Sequence, residues 1–486
     1  MAFSEIPPQL RRNFYIALQL FAVLTGQFPH RLSRKGGRAM LETLNAFLWG
    51  PGTLALILGT GAWLTLRTGG FPQRNLGQAL ALSLGRDARR KGVNGVSPFG
   101  SLMTALATTV GTGNIVGVAA ALVSGGPGAL VWMELAAALG LAVKFAECML
   151  AVKYRRIRSD GTRWGGPMAV MEARLGRPGN PLGKLYAFFA LLMAFAMGAM
   201  AQSGALADTC AAAFSLSRRQ VGVTAAALAL TILLGGIRRI ADASTLLVPV
   251  MALLYIGGGA AVILGNLPRL PDALTLMLRC AFAPEAALGG ALGTITRRSA
   301  IRWGIARGVF SNEAGLGSAA MTAACADTES PVRQGLISMT GVFFDTTVIC
   351  TVTGLAICCS GVLGLPDAHG EALTGAALTI RAFGTVLGPW AGWLVSVSLG
   401  LFAFTSVLGC AVQAETVISF LLGRAAVRPC QVLYGLAVFF GAVLPMETVL
   451  QLADLSNALM ALPNLMCLIL LSGEIAADCR KFRPEK

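Results

Sequence analysis

Eleven apolar runs of 18 or more residues, separated by charged or Pro/Gly-rich punctuation, constrain this 486-residue chain more than any other feature. They fall at 45–66, 101–124, 129–152, 185–206, 220–237, 243–265, 300–325, 334–361, 388–422, 430–447 and 449–472. A membrane-spanning helix needs about 20 consecutive apolar residues. An outer-membrane barrel instead uses alternating segments of about 10 residues, which these uninterrupted runs exclude. Only 13% of the residues are charged, about half the share in soluble domains. The 59 glycines suit close helix-to-helix approach in lipid. The chain therefore reads as all-α and polytopic, with about eleven transmembrane helices.

A net charge of +16 would point to nucleic acid in a soluble protein. Here the basic residues cluster between apolar runs and act as topology signals. Loops on the side of 67–100 hold 23 Lys and Arg, against 7 on the other side after the first span. The 67–100 loop and the C-terminus are accordingly expected in the cytoplasm. Six basic residues before Met40 oppose this count, and the run Phe14–Phe28 is too short to span. Residues 1–39 are read as an extension outside the functional protein and 40–486 as one domain. Most of the eleven cysteines lie in apolar runs and the two histidines are isolated, so neither a disulfide framework nor a metal cluster is expected.

Two runs carry polar interruptions: Val110-Gly111-Thr112-Gly113-Asn114-Ile115, and Phe310-Ser311-Asn312-Glu313-Ala314-Gly315-Leu316-Gly317. If 101–265 and 300–472 are two five-helix repeats, each break lies in the first helix of its repeat. Five is odd, so the second repeat enters from the opposite side, the pattern of secondary transporters with a site at the midplane. Unwound backbone is tolerated in lipid only where protein buries it or a cavity adjoins it. At such a break, half-helix N–H groups suit an anion and freed carbonyls suit a hard cation.

Gly111 and Gly113 let the backbone open, with Thr112 and Asn114 beside it; Gly113 and Gly117 also fit a simple packing face. Glu313, next to Asn312, Gly315 and Gly317, is either functional or a brace for the break. Asp345 either joins a cation path or pairs with a polar neighbour. Lys144 and Glu147, three apart, read as a structural pair or a snorkelling lysine. Gln202 and Ser203 reach the cavity or bond between helices. Thr405 and Ser406 are oxygen ligands or back-bonding hydroxyls.

Long stretches of the chain resemble the alanine or glycine:cation symporter family. They are GTGNIVGVAAALVSGGPGALVWM (111–133), KFAECMLAVKYR (144–155), GGPMAVME (165–172), GGIRRIADASTLLVPVMALLY (235–255), FSNEAGLGSA (310–319), RQGLISMTGVFFDT (333–346) and LADLSNALMALPNL (452–465). The resemblance implies a leucine-transporter-like fold, with 45–66 as an extra helix before the inverted repeats. It implies a small neutral amino acid carried with Na+ or, less often, H+. It places the substrate carboxylate at Thr112 and Gly113, with Asn114 and Ser311 beside it and Phe310 above. It places the cation between the carbonyls of Ala107 and Val110 and the hydroxyls of Thr405 and Ser406. The chain departs from the family where Gln202-Ser203 is followed by Gly204, and at Cys410 to Gln413, which bears on side-chain selectivity.

The expectation is a plasma-membrane or bacterial inner-membrane symporter for alanine or glycine. It needs no cofactor beyond Na+ as coupling ion, and no nucleic acid or obligate protein partner. A proton-coupled symporter and an amino-acid sensor on the same scaffold are the competing readings; an enzyme lacks a nucleophile and base or a metal constellation.

Overall fold

The computed structural model describes residues 41–482 except 42, 46, 91–94, 160, 177–178, 283–296, 367–371 and 446. The expected extension 1–39 and Met40 lie outside the described residues. The principal helices are α1 (Pro51–Arg67), α2 (Leu76–Leu84), α3 (Pro98–Thr109), α4 (Val116–Gly125), α5 (Gly128–Lys153), α6 (Pro167–Arg174), α7 (Gly179–Phe214), α8 (Arg218–Leu233), α9 (Gly236–Gly265), α10 (Leu270–Phe282), α11 (Arg297–Asn312), α12 (Ser318–Ala324), α13 (Pro331–Ser360), α14 (Gly375–Leu387), α15 (Trp390–Leu422), α16 (Val427–Val443), α17 (Glu447–Leu470) and α18 (Ser472–Lys481). A hairpin of two short antiparallel strands, β1 (Arg156–Ile157) and β2 (Arg163–Trp164), joins α5 to α6.

The apolar runs become helices because in lipid each backbone N–H and C=O must be satisfied within its own segment. Among the described residues, seven helices are long and apolar enough to cross a membrane, or eight if the bent pair α3 and α4 is one span. The protein is thus an all-α polytopic membrane protein. Three expected spans fall short of that test. The run at 45–66 yields the 17-residue α1, and 220–237 yields the 16-residue α8. The run at 300–325 divides into α11, of 16 residues, and α12, of seven. In the other direction, 243–265 begins earlier, at Gly236, and 185–206 grows to the 36 residues of α7. Arg238, Arg239 and Asp242 sit in the first turns of α9, where long charged side chains can reach water.

The sequence reading missed α2, α6, α10, α14 and α18, none of which has the length of a span. In α10, apolar Leu270, Leu274, Met277, Leu278 and Ala281 repeat at helical spacing, so the signal was amphipathicity rather than hydropathy.

Burial sorts the spans into layers. Most of α5 and α15 is enclosed by protein, whereas only a third of α9 is. Leu253 of α9 is 72% exposed and Trp390, at the start of α15, is 71% exposed. Trp390 packs edge to face against Trp393, as in the aromatic belt at a membrane interface. The central helices are where the chain is irregular. α3 and α4 meet at 62°, α11 and α12 are separated by five residues, and wide π turns occur at Ala194–Ala201 of α7 and Phe343–Cys350 of α13. Such turns concentrate at functional sites. The segment before α3 and the end of α12 meet on one face, where Val96 pairs with Ala326.

Candidate functional site

Val110 leaves the helical conformation at φ −77°, ψ 93°. In an unbroken helix the Gly111 N–H would donate to the carbonyl of Ala107. It donates instead to Asn114 Oδ1 at 2.9 Å. The turn is thereby closed by a side chain and the Ala107 carbonyl loses that donor. A Cβ on Gly111 would lie 3.0 Å from Ser406 Oγ and 3.7 Å from the Gln202 amide, so α7 and α15 converge on the first break. Thr112 and Gly113 are half-buried, and Gly113 faces the Phe310 ring, 3.9 Å from where its Cβ would be. The Arg307 guanidinium lies 5.7 Å from the Phe310 centroid.

The second break is built differently. Glu313 adopts a left-handed φ of +52° and Gly315 one of +95°. Reversing the chain this way frees several backbone groups, and neighbouring helices take them up. Glu147 Oε2 of α5 accepts from the N–H groups of Gly315 at 3.2 Å and Gly317 at 3.1 Å. Lys144 Nζ donates to the Glu313 carbonyl at 3.2 Å and lies 3.4 Å from Glu147 Oε1. Tyr186 of α7 donates to the Leu316 carbonyl at 2.9 Å. Asn464 of α17 donates to the Gly315 carbonyl at 2.9 Å and to Glu147 at 3.1 Å.

The pair Lys144 and Glu147 is structural, as one reading of the sequence held, but it does not snorkel. Both side chains are at most 2% exposed, and together they brace the break. Glu313, the residue expected to bind the freed N–H groups if it were a brace, instead accepts from Ser318 Oγ at 2.5 Å. The reason is reach: at a left-handed φ its side chain turns toward the start of α12, leaving the Gly315 and Gly317 N–H groups to a carboxylate from outside.

Asp345 joins the two breaks. Its Oδ1 accepts from Asn114 Nδ2 at 2.7 Å, and its Oδ2 from Ser311 Oγ at 2.8 Å and Thr346 Oγ1 at 3.0 Å. Asn114 Nδ2 also lies 3.1 Å from Ser311 Oγ. Asn312 donates to Thr346 at 3.3 Å and accepts from Ala314 N–H at 3.0 Å. Thr353 caps the Asn114 carbonyl at 2.9 Å and is held by Tyr255 at 2.8 Å. The carboxyl therefore has its polar atoms satisfied by three neutral donors in the interior, as buried polar groups require.

Ser406 and Thr405 back-bond to α15 carbonyls, Ser406 to Phe402 and Thr405 to Leu401 and Phe402, each at 3.0 Å. Successive residues on a helix point about 100° apart. Accordingly, Ser406 faces Gly111 while the Thr405 hydroxyl turns to Met251 of α9 at 3.3 Å. Gly409 brings α15 against the Ala107 and Thr108 backbone. Gln202 is 4% exposed, and its Oε1 has no hydrogen-bond partner among the described residues.

The arrangement is two unwound helices crossed at a polar centre inside an apolar bundle. The profile of the sodium:alanine symporter family matches residues 35–486. The chain belongs to that family. Its relatives include the sodium/alanine symporter AgcS of Methanococcus maripaludis, 41% identical over 448 residues that cover 91% of this chain and 97% of the relative. Another, the amino-acid carrier protein AlsT of Bacillus subtilis, is 34% identical over 439 residues, 90% of each chain. The manganese transporter of Eremococcus coleocola, a solved structure, aligns with a TM-score of 0.43 at 15% identity over 92% of this chain and 81% of that one. Membership makes the chain a membrane-embedded amino-acid symporter of the sodium/alanine type, not an enzyme. The residues that brace the second break, Glu147, Tyr186 and Asn464, carried little weight in the sequence reading. Their signal was an ionisable or amide group inside an apolar run.

Proposed function

We propose that the chain couples the downhill flow of Na+ to uptake of a small neutral amino acid, alanine or glycine, by alternating access. The observation that carries this reading is the single network through Asn114, Asp345 and Ser311, which ties both helix breaks to one point. In the proposal, 101–265 and 300–472 are inverted repeats, with 45–66 as an extra helix. The meeting of the α3 start with the α12 end on one face supports their opposite sense.

The substrate carboxylate lies at the N–H groups of Thr112 and Gly113, beside Gly111, with Asn114, Gln202, Ser311 and Asn312 around it and Phe310 closing the outer side. Na+ takes the carbonyls of Ala107 and Val110 with the Ser406 hydroxyl and with that of Thr405 rotated off Met251, an all-oxygen set suited to a hard cation. The diverted Gly111 N–H and the approach of Ser406 support that placement. Glu313, Gly315 and Asp345 hold the breaks in the shape both ligands need. The C-terminus faces the cytoplasm, from the charge count.

The test is uptake of radiolabelled alanine and glycine into proteoliposomes with an imposed Na+ gradient, with K+ or choline in its place, and with a proton gradient alone. Uptake that requires Na+ is expected. Uptake driven by protons without Na+ would replace the coupling ion, and binding without uptake under any gradient would favour a sensor.

A further inference from the structure

Of the long spans described above, α9 is the most open to lipid, with only a third of it enclosed by protein. Its 30 residues make about 45 Å of helix, whereas the hydrocarbon takes about 30 Å. Its charges, Arg238, Arg239 and Asp242, all precede the apolar run that starts at Ala243. The first two turns of α9 therefore lie at the level of the lipid headgroups.

At that level a cavity of about 560 Å³ opens between α9 and the segment leading into α3. Arg89 and Ser97 line one wall, and Arg238, Asp242, Thr245 and Pro249 the other. The Arg89 guanidinium is held 4.9 Å over the Phe99 ring and donates to no group among the described residues. Asp87, two positions earlier, is set against Arg90 at 3.5 Å. With Asp242 counted against Arg238, the walls stay positive by one charge through Arg89. Pro249 has no N–H, so the Thr245 carbonyl, four residues before it, lacks its helical donor. Cationic donors and a spare acceptor thus adjoin one space.

Beyond the cavity, α9 carries an apolar stripe of Leu246, Val250 and Leu253, which are 68%, 54% and 72% exposed. In helical projection Leu246 and Leu253 lie within about 40° of Asp242. The stripe begins where the charged wall ends, so one amphiphile can occupy both.

We propose that this cavity seats the headgroup of an anionic phospholipid, a phosphatidylglycerol, whose acyl chain runs along the stripe of α9. The phosphodiester accepts from Arg89 and Arg238, as basic pockets between membrane helices take lipid phosphates. A headgroup glycerol hydroxyl donates to the Thr245 carbonyl. Phosphatidylcholine carries the same phosphate, but its fixed ammonium cancels the charge that the walls select.

The test uses the full-length protein in detergent micelles, with the melting point followed as dioleoylphosphatidylglycerol or dioleoylphosphatidylcholine is added. Phosphatidylglycerol is expected to raise the melting point at a lower mole fraction than phosphatidylcholine. The mole fraction for half of that rise should increase about fivefold in R89Q and in R238Q. R239Q removes an equal charge one position away, from a side chain that donates to the Thr231 carbonyl at 3.1 Å and lies outside the cavity. Its half-point should match the parent's. Each variant is read against its own lipid-free melting point, so a loss of stability does not hide the shift, and R89Q alone decides if R238Q does not fold. Four results would overturn the site: equal action of the two lipids, the same rise from inorganic phosphate, parent-like half-points in R89Q and R238Q, or R239Q shifted as far as they are. Binding is read without uptake, so failure of Na+-driven alanine uptake would count against the proposed function and leave this inference standing.

Discussion

Glu147 holds two backbone N–H groups and the Asn464 amide, and it balances Lys144 inside the bundle. Glu147→Ala leaves a buried ammonium without its counter-charge, a change that costs about 3–5 kcal/mol. Thermal unfolding in detergent should show that loss, and Lys144→Met combined with Glu147→Gln should be milder than Glu147→Ala. A parent-like melting point for Glu147→Ala would remove the brace assigned to it. Glu313 has a different task, since its carboxylate accepts from Ser318. An amide oxygen can accept the same bond, so Glu313→Gln should keep part of the uptake rate and Glu313→Ala almost none; equal rates in the two would show that the bond is immaterial. Asn114, Ser311, Asn312 and Asp345 were legible because polar groups in an apolar run need a reason to be there. What the sequence hid was their pairing. Asn464 is 317 positions from Glu147, and only the folded bundle brings such partners within reach.

The long apolar elements were legible, with ends displaced by up to eight residues, because lipid imposes length and hydropathy together. The amphipathic and short helices were not, since each obeys only one of those rules. Two elements carry predictions of their own. At Gly409, an added Cβ would lie 2.6 Å from Thr108 Cγ2 and 2.8 Å from Thr108 N. Gly409→Ala should therefore push α15 off α3 and raise the Na+ concentration for half-maximal uptake several-fold, roughly the effect of 1 kcal/mol of overpacking. Unchanged Na+ dependence would place the cation elsewhere. On α18, burial alone would raise the Glu474 carboxyl, but hydrogen bonds from Lys153 and Tyr154 and the charges of Lys153 and Arg174 hold it below its ordinary 4.5. A carboxyl depressed in the folded state contributes stability above its unfolded value and loses it as pH falls through the folded one. Docking of α18 should be intact near neutral pH and weaken as the pH falls below the ordinary 4.5, read as faster hydrogen exchange over 472–481. Exchange that stays flat into that acid range would mean the ion pairs do not dock it.

For the molecule as a whole, one network serves both breaks, and substrate and Na+ are proposed to bind beside it. Each should therefore tighten the other by the same factor, about 5–150-fold. Calorimetric titration of alanine at low and saturating Na+, and of Na+ with and without alanine, would measure both factors. A factor of one in both titrations would mean that the two ligands bind independently. The two breaks were legible as polar, glycine-bearing interruptions of apolar runs, whereas the hairpin at 156–164 was not, since arginines in a loop look like topology signals until their partners are known. The wide turn at Phe343–Cys350 bears on how such chains are read. A helical wheel drawn from Pro331 at a constant step drifts by about one residue, some 100°, across that turn. It would assign Thr351, which donates to Glu134, and Thr353, which caps Asn114, to faces they do not occupy. Any count of lipid-facing against protein-facing positions in the second half of α13 must restart after Cys350.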